Sequence, residues 1–182
     1  MMEEIWKDIE GFEGLYQVSN FGKIKSLART YKNSGSYSGF ISRKESLVKC
    51  FDVDGYHQCY LSKNGKTKSL KVHRLVALSF IENETHSNLI NHIDGNRKNN
   101  LASNLEWVNN SENALHGHLR RANKSSKYPG VSYIKRDKKW YASVFFKGKN
   151  KSLGTYHKEE DAYNAYKKAV LDYNIQNKYS IV

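Results

Sequence analysis

Apolar and polar positions in the first part of the chain fall in short runs, and those runs predict strands. From Glu4 to Leu27, aromatic and β-branched residues are punctuated by Gly11, Gly14 and Gly22. Asn20-Phe21-Gly22 predicts a turn between strands at Tyr16–Val18 and Ile24–Leu27. Residues 31–46 are rich in Ser, Gly and Lys and predict a long flexible or DNA-tracking loop. Strand-like runs follow at 47–53, 56–62 and 68–74. Asp54-Gly55 and Asn64-Gly65 separate them, and both dipeptides are strong hairpin signals. Residues 1–70 therefore read as a β-rich module.

The period then changes. Residues 72–81 have helical spacing, with Leu75, Val76, Leu78 and Ser79 clustered around one face. Residues 89–95 predict a short strand entering an Asp94-Gly95 turn, and residues 96–106 are polar and loop-like. A helix is expected after them, starting near Glu112 with Ser111 as its N-cap. Residues 118–127 form a basic linker. Beyond Pro129, strands are expected at 130–135, 139–146 and 151–156, then a helix over 159–174. Ala162, Ala165, Tyr166, Ala169 and Val170 fall on one side of that helix. The expected fold class is α+β and modular. It comprises a small N-terminal β-sheet module (1–70), a central core (71–117) and a C-terminal three-stranded sheet plus helix (128–182).

Composition narrows the function. The 182 residues carry a formal net charge of +12, and the mean hydropathy is -0.77. Several small cores suit such a chain better than one large core. The basic balance points to a polyanionic partner. No apolar run approaches the roughly 18 residues of a spanning helix, and the acidic N-terminus has no apolar signal region, so the expected setting is intracellular and cytoplasmic. Cys50 and Cys59 match no zinc or disulfide pattern and read as reduced thiols. Between Gly117 and Lys151 the basic residues are dense, and only Asp137 opposes them. Their interleaving with aromatics favours nucleic acid as the partner.

The candidate chemistry lies in Asn91-His92-Ile-Asp-Gly-Asn, followed by Asn99-Asn100, Ser103-Asn104-Leu-Glu-Trp-Val and Ser111-Glu-Asn113. This combination resembles the HNH, or ββα-metal, endonucleases, most closely the small phage and intron homing type. Residues 72–81 share in the resemblance. It implies a phosphodiester hydrolysis in which His92 is the general base. Asn91 and Asn113 would hold one divalent ion, Mg²⁺ or Mn²⁺, and Asn104 would brace the loop that holds the His92 ring. The chemistry suits the residue types: a neutral imidazole takes a proton near physiological pH, and a hard cation accepts a few oxygen ligands while keeping waters. Many relatives have Asp where Asn91 stands, and the amide carries no charge. His73 is the rival base, and His116 and His118 are further candidate ligands.

Two flanking resemblances suggest how DNA would be held. Residues 6–27 resemble a short module found ahead of HNH domains in homing nucleases. It would follow a groove with Lys23, Lys25, Arg29, Lys32 and Arg43. Gly130-Val131, Trp140-Tyr-Ala142, Leu153-Gly154 and Glu160-Asp-Ala162 resemble the DNA-binding domain of plant ethylene-response factors. In that family an exposed sheet face enters the major groove while the helix backs it. Trp140, Ala142 and Val144 would face the helix, and Lys139, Tyr141, Ser143 and Phe145 would face outward. Lys135, Arg136, Lys147, Lys149 and Lys151 would meet DNA from turns and edges, with Arg120 and Arg121 ahead of them. The usual first-strand arginines of that family are replaced by Ser132 and Ile134.

The chain is thus expected to be a site-specific, homing-type DNA endonuclease acting on double-stranded DNA. It would nick as a monomer or work as a DNA-assembled dimer, without a membrane or small-molecule cofactor. Two alternatives stay open on the sequence: a DNA-binding regulator with a degenerate nuclease core, and a repair or restriction HNH nuclease.

Overall fold

Turn chemistry sets the topology of the first half of the chain. The computed structural model describes residues 3–32, 37, 39–84, 86–120 and 124–175. Strands β1 (Trp6–Asp8), β2 (Tyr16–Ser19) and β3 (Ile24–Ser26) form an antiparallel meander, and Asn20–Gly22 make the expected β2–β3 turn. Strands β4 (Arg29–Lys32) and β5 (Phe40–Arg43) pair antiparallel, so both ends of the stretch expected to be a loop form a ribbon. Residues 33–36 and 38 of that stretch lie outside the described residues. Strand β6 (Ser46–Leu47) then joins the first sheet beside β3.

The expected hairpin series follows as β7 (Phe51–Val53), β8 (Tyr56–Lys63) and β9 (Lys66–Lys71). Asp54 and Gly55 have φ of 52° and 80°, and Asn64 and Gly65 have 53° and 74°. Two consecutive positive φ values are what a type I′ hairpin turn requires. Residues 48–50 stay outside any strand, and the last strand stops at Lys71 rather than Arg74. Val72 instead begins helix α1 (Val72–Phe80), which buries Val72, His73, Leu75, Val76 and Ala77. Leu78, expected on the buried face, is 52% exposed.

Strand β10 (Leu89–His92) pairs antiparallel with β11 (Leu105–Val108). The segment expected to be polar loop therefore ends in a strand, after a single 3₁₀ turn at Ala102–Asn104. Leu105, Trp107 and Val108 are buried, and that burial outweighs the polar run before them.

The chain divides into two compact units, Met1–Val108 and Asn109–Val182. No break occurs near residue 70. Ile9, Val18 and Ile24 share one core with Leu61, Val72, Val76 and Leu105. Both the N-terminal sheets and the β10–β11 ribbon need that core to bury their apolar faces.

The second unit begins with helix α2 (Asn110–Arg120). Its cap is Asn109, two residues before the expected Ser111. Asn109 Oδ1 accepts from the Glu112 amide and Glu112 Oε2 accepts from the Asn109 amide, each at 2.9 Å. This reciprocal pair is a capping box with Asn in the Ser/Thr place. Strands β12 (Val131–Ile134), β13 (Lys139–Phe146) and β14 (Lys149–Tyr156) make the expected antiparallel sheet, backed by helix α3 (Glu159–Asp172). Alternation holds: Val131, Ala142 and Ala162 form one buried cluster, and Val144, Ala169 and Val170 form another. The fold class is mixed α+β. Gly130 is fixed by close approach, since a Cβ there would lie 2.2 Å from Tyr166 Cδ2.

Gly22 joins the N-terminal sheet to the ribbon's loop. It has φ 78°, and a Cβ would sit 2.7 Å from Asn100 Cβ. Gly22→Ala combines a left-handed backbone with a backbone-adjacent clash. It is expected to destabilise the first unit by about 1–3 kcal/mol, read as a lower midpoint in urea denaturation. An unchanged midpoint would contradict this packing.

Candidate active site

The strand pair β10–β11 positions the candidate residues. Its register faces Asn91 with Glu106 and His92 with Leu105. Alternation sends neighbouring residues to opposite faces, so Asn91 and His92 leave the ribbon on different sides at the strand's end. On the inner side, His92 is only 5% exposed. Its ring meets the edge of His73 at 5.2 Å between centroids, with Tyr56 at 6.2 Å. Burial pushes the His92 imidazole below the usual histidine range. The hydrogen bond to Asn100 Oδ1 and the charge of the Asp94 carboxylate oppose that shift, while Arg97 adds to it.

Asn100 decides which nitrogen of His92 carries the proton. Asn100 Nδ2 donates to the Lys98 carbonyl at 3.3 Å, an atom that can only accept. Asn100 Oδ1 therefore faces His92 Nε2, also at 3.3 Å, and Nε2–H must donate to it. The ring's lone pair is left on Nδ1. Asn100 Nδ2 also lies 3.3 Å from His57 Nδ1 on β8. Asn100 is itself 5% exposed. Sequence reading gave no role to His57 or Tyr56, because their link to His92 spans unrelated segments. The Asn99-Asn100 pair was the one visible signal.

His73, the rival base, is held differently. It is buried on α1, and its Nδ1 has no hydrogen-bond partner. Burial, then the charges of His92, Lys71 and Arg74, lower its pKa from 6.5 to about 4.

Asn104 lies beneath the loop that follows His92. Its Oδ1 accepts from the Asp94 amide at 3.1 Å, and its Nδ2 donates to Asp94 Oδ1 and the Asn99 carbonyl, both at 2.9 Å. Asp94 also accepts from Asn99 Nδ2 at 2.7 Å and the Asn96 amide at 2.8 Å. The Asn99 and Asn104 hydrogen bonds carry the Asp94 carboxyl from the usual 3.8 down to about 2. The β7–β8 hairpin grips the same loop from outside, through an Asp52–Lys98 ion pair and the Arg97 guanidinium 5.0 Å from the Tyr56 ring.

On the other side of the ribbon, Asn91 Nδ2 donates to Glu106 Oε1 at 2.9 Å. Asn91 is 8% exposed, whereas Glu106 is half-buried. Among the described residues, no three His, Cys, Asp or Glu side chains form a metal cluster. The donors present are an amide oxygen and a carboxylate, both hard. That chemistry fits a Mg²⁺-type cation, which retains much of its water. Asn113 is exposed in the first turn of α2, in the second unit.

The candidate DNA-binding residues separate by how they are engaged. Arg29 is used internally: its Nη1 donates to the Leu15 carbonyl at 3.0 Å and Ser26 Oγ at 2.9 Å. Its guanidinium lies 5.1 Å from the Tyr16 ring. Lys23 pairs with Glu4 at 3.0 Å, while Lys25 lies 3.6 Å from Glu45 and over the Trp6 ring. Arg29 is thus committed to internal bonds, which the sequence could not reveal, whereas Lys23 stays exposed and Lys25 is half-buried. Arg43 is exposed on β5, and Arg120 is exposed at the end of α2. Arg121 lies outside the described residues. In the second unit, Arg136 is paired with Asp137. Lys135, Lys147, Lys149 and Lys151 are exposed, and Lys139, Tyr141 and Ser143 are half-buried along β13. Lys151 lies over the Phe146 and Tyr173 rings at 5.0 and 4.6 Å.

Comparison with known proteins points the same way. Residues 4–74 match the NUMOD4 motif. The DNA endonuclease I-HmuI of Bacillus phage SP01 is 40% identical over 133 residues, covering 73% of this chain and 68% of that protein. The uncharacterized HNH endonuclease L245 of Acanthamoeba polyphaga mimivirus is 44% identical over 111 residues, covering 61% of this chain but 29% of that protein. A solved structure concerned with DNA binding and cleavage by the HNH homing endonuclease I-HmuI superposes with a TM-score of 0.52 at 41% identity. That superposition covers 65% of this chain and 59% of the solved one, so the chain spans under two thirds of the solved chain.

The Asp94 loop supplies a pH test with a defined sign. A carboxyl held below its unfolded value stabilises the fold above about pH 4, and that contribution is lost as pH falls toward about 2. The Asn96 amide resonance in NMR should titrate near 2, and Asn104→Ala should move that midpoint upward toward 3.8. A midpoint unmoved by Asn104→Ala would show that Asn104 does not hold the loop.

Proposed function

Because the chain belongs to the HNH homing endonuclease family, whose named members are DNA endonucleases, we propose that it hydrolyses one phosphodiester bond of double-stranded DNA. The observation that carries this reading is the state of His92: buried, with Nε2 engaged by Asn100 Oδ1 and the lone pair left on Nδ1. In this reading His92 Nδ1 takes a proton from water as the water oxygen attacks phosphorus. The bond to the 3′-oxygen breaks, and a proton returns to that oxygen from solvent. Asn100 holds the tautomer, and Asn104 holds the loop that carries the ring's surroundings. A bound Mg²⁺ or Mn²⁺ would relieve negative charge on the phosphate and the leaving oxygen. Asn91 is the ligand that the first unit offers, and the family resemblance assigns a second ligand role to Asn113. One such site per chain makes a nick; a double-strand break requires a DNA-assembled dimer or two encounters.

His92→Ala should lower the single-turnover cleavage rate by about 10²–10⁴-fold while leaving DNA affinity nearly unchanged. His73→Ala should retain most activity. Cleavage should stop in excess chelator, and Asn113→Ala should raise the metal concentration needed. Burial holds His92 below its usual range, so the rate should rise with pH and level off by neutral pH. Normal cleavage by His92→Ala would exclude it as the base.

The basic, sheet-bearing second unit is the proposed source of much of the DNA affinity, through the ethylene-response-factor-like arrangement of β12–β14 and α3. Lys147, Lys149 and Lys151 crowd the β13–β14 turn and edge. Replacing all three with Ala should weaken binding at physiological salt. It should also flatten the log–log salt dependence by about one unit for each phosphate that is no longer neutralised. An unaltered slope would place the DNA-binding surface elsewhere.

A further inference from the structure

We infer that Asn91 and Glu106 work as one divided cation ligand, in which Glu106 supplies the orientation and charge that a carboxylate at position 91 would carry by itself. The inference rests on the ligand role proposed above for Asn91.

A hard cation binds the oxygen end of an amide and is repelled by the NH₂ end. The two ends have nearly the same shape, and the terminal torsion that exchanges them has broad, roughly two-fold preferences. An Asn ligand therefore needs a neighbour to choose its orientation, whereas an Asp ligand does not. Glu106 is such a neighbour. A carboxylate offers the amide only accepting oxygens. Glu106 accepts from Asn91 Nδ2 at 2.9 Å and turns Asn91 Oδ1 away from itself. The register of β10 and β11 holds the two residues directly opposite. A slip of one position would face Asn91 with Leu105 or Trp107 instead.

The same contact returns the missing charge. A hydrogen bond from an amide to a carboxylate is charge-assisted, and it draws electron density toward the amide oxygen. Amide and carboxylate together carry one negative charge, as a single Asp would. Asn91 itself is almost fully buried, so few waters compete with Glu106 for its amide. Partners of metal ligands that act in this way typically change metal affinity by about 10–100-fold when removed.

The test measures Mn²⁺ binding to the full chain without DNA, by electron paramagnetic resonance of free Mn²⁺. Circular dichroism confirms that each variant is folded. Glu106→Ala should weaken Mn²⁺ binding by about 10–100-fold. The near-isosteric Glu106→Gln retains an accepting oxygen and should lose less. In the exchanged pair, Asn91→Asp with Glu106→Gln, the amide donates to the carboxylate in the reverse direction and the charge is unchanged. That double variant should bind Mn²⁺ within a few-fold of the parent. Unchanged binding by Glu106→Ala, or no recovery in the exchanged pair relative to Glu106→Gln, would overturn the inference. Asn91→Ala separates this failure from failure of the premise. If it binds Mn²⁺ like the parent, Asn91 is not a ligand, and both readings fall. If it loses binding while Glu106→Ala does not, only the divided-ligand inference falls.

Discussion

Helix α1 is buried along the side that carries Val72, Leu75 and Val76, and the core formed there draws apolar residues from both ends of the first unit. Ile9, Val18 and Ile24 reach it from the N-terminal sheet, Leu61 from β8 and Leu105 from the ribbon. The same helix carries His73, whose ring lies against His92. Removing this packing would leave the ribbon as an isolated two-stranded pair, a structure marginal by itself in water. The N-terminal module is thus part of what shapes the candidate active site. The Ala102 amide donates to the Asn20 carbonyl at 2.8 Å, and Asn100 packs against Gly22. The Asn20–Gly22 turn therefore supports the loop beside His92.

Amides handle most of the polar organisation around that loop. Asn100 sets the tautomer of His92, Asn104 and Asn99 hold Asp94, and Asn91 pairs with Glu106. An amide presents both a donor and an acceptor, so each Asn can join two groups that could not bond to each other. The cost is ambiguity, because either end of an amide can face a given partner. Here neighbours with fixed roles remove it: the Lys98 carbonyl orients Asn100 and the Glu106 carboxylate orients Asn91. A histidine enclosed in this way is kept neutral by burial while one nitrogen is held by a hydrogen bond.

The second unit solves a different problem with a similar economy. Small residues, Ala142, Ala162 and Ala169, let α3 lie close to the sheet. Their size leaves the stabilising apolar area to Val131, Val144, Val170 and the tyrosines around them. The charged residues are then left to the turns and the exposed edge. Lys147 and Lys151 rest over the Phe146 ring, where cation and ring attract each other without removing the ammonium groups from solvent.

Local chemistry made much of this legible from the chain alone. Asp54-Gly55 and Asn64-Gly65 specify positive φ at consecutive positions, so both hairpins followed directly. Alternation in β13 announced which side of Trp140, Ala142 and Val144 would be buried. The His92, Asn91 and Asn104 candidates came from resemblance to a family motif. What the chain alone left open depended on partners distant in sequence. Arg29 looked like any exposed cation until its bonds to Leu15 and Ser26 were visible. Strand β11 was hidden in a polar run because its burial comes from the core of α1. Asn100, Glu106 and His57 gained meaning only when strand pairing and packing brought them beside His92 and Asn91. A sequence states the backbone preference of each position, because that preference is local. The neighbour that orients an amide or selects a histidine tautomer is a non-local contact, and tertiary packing decides it.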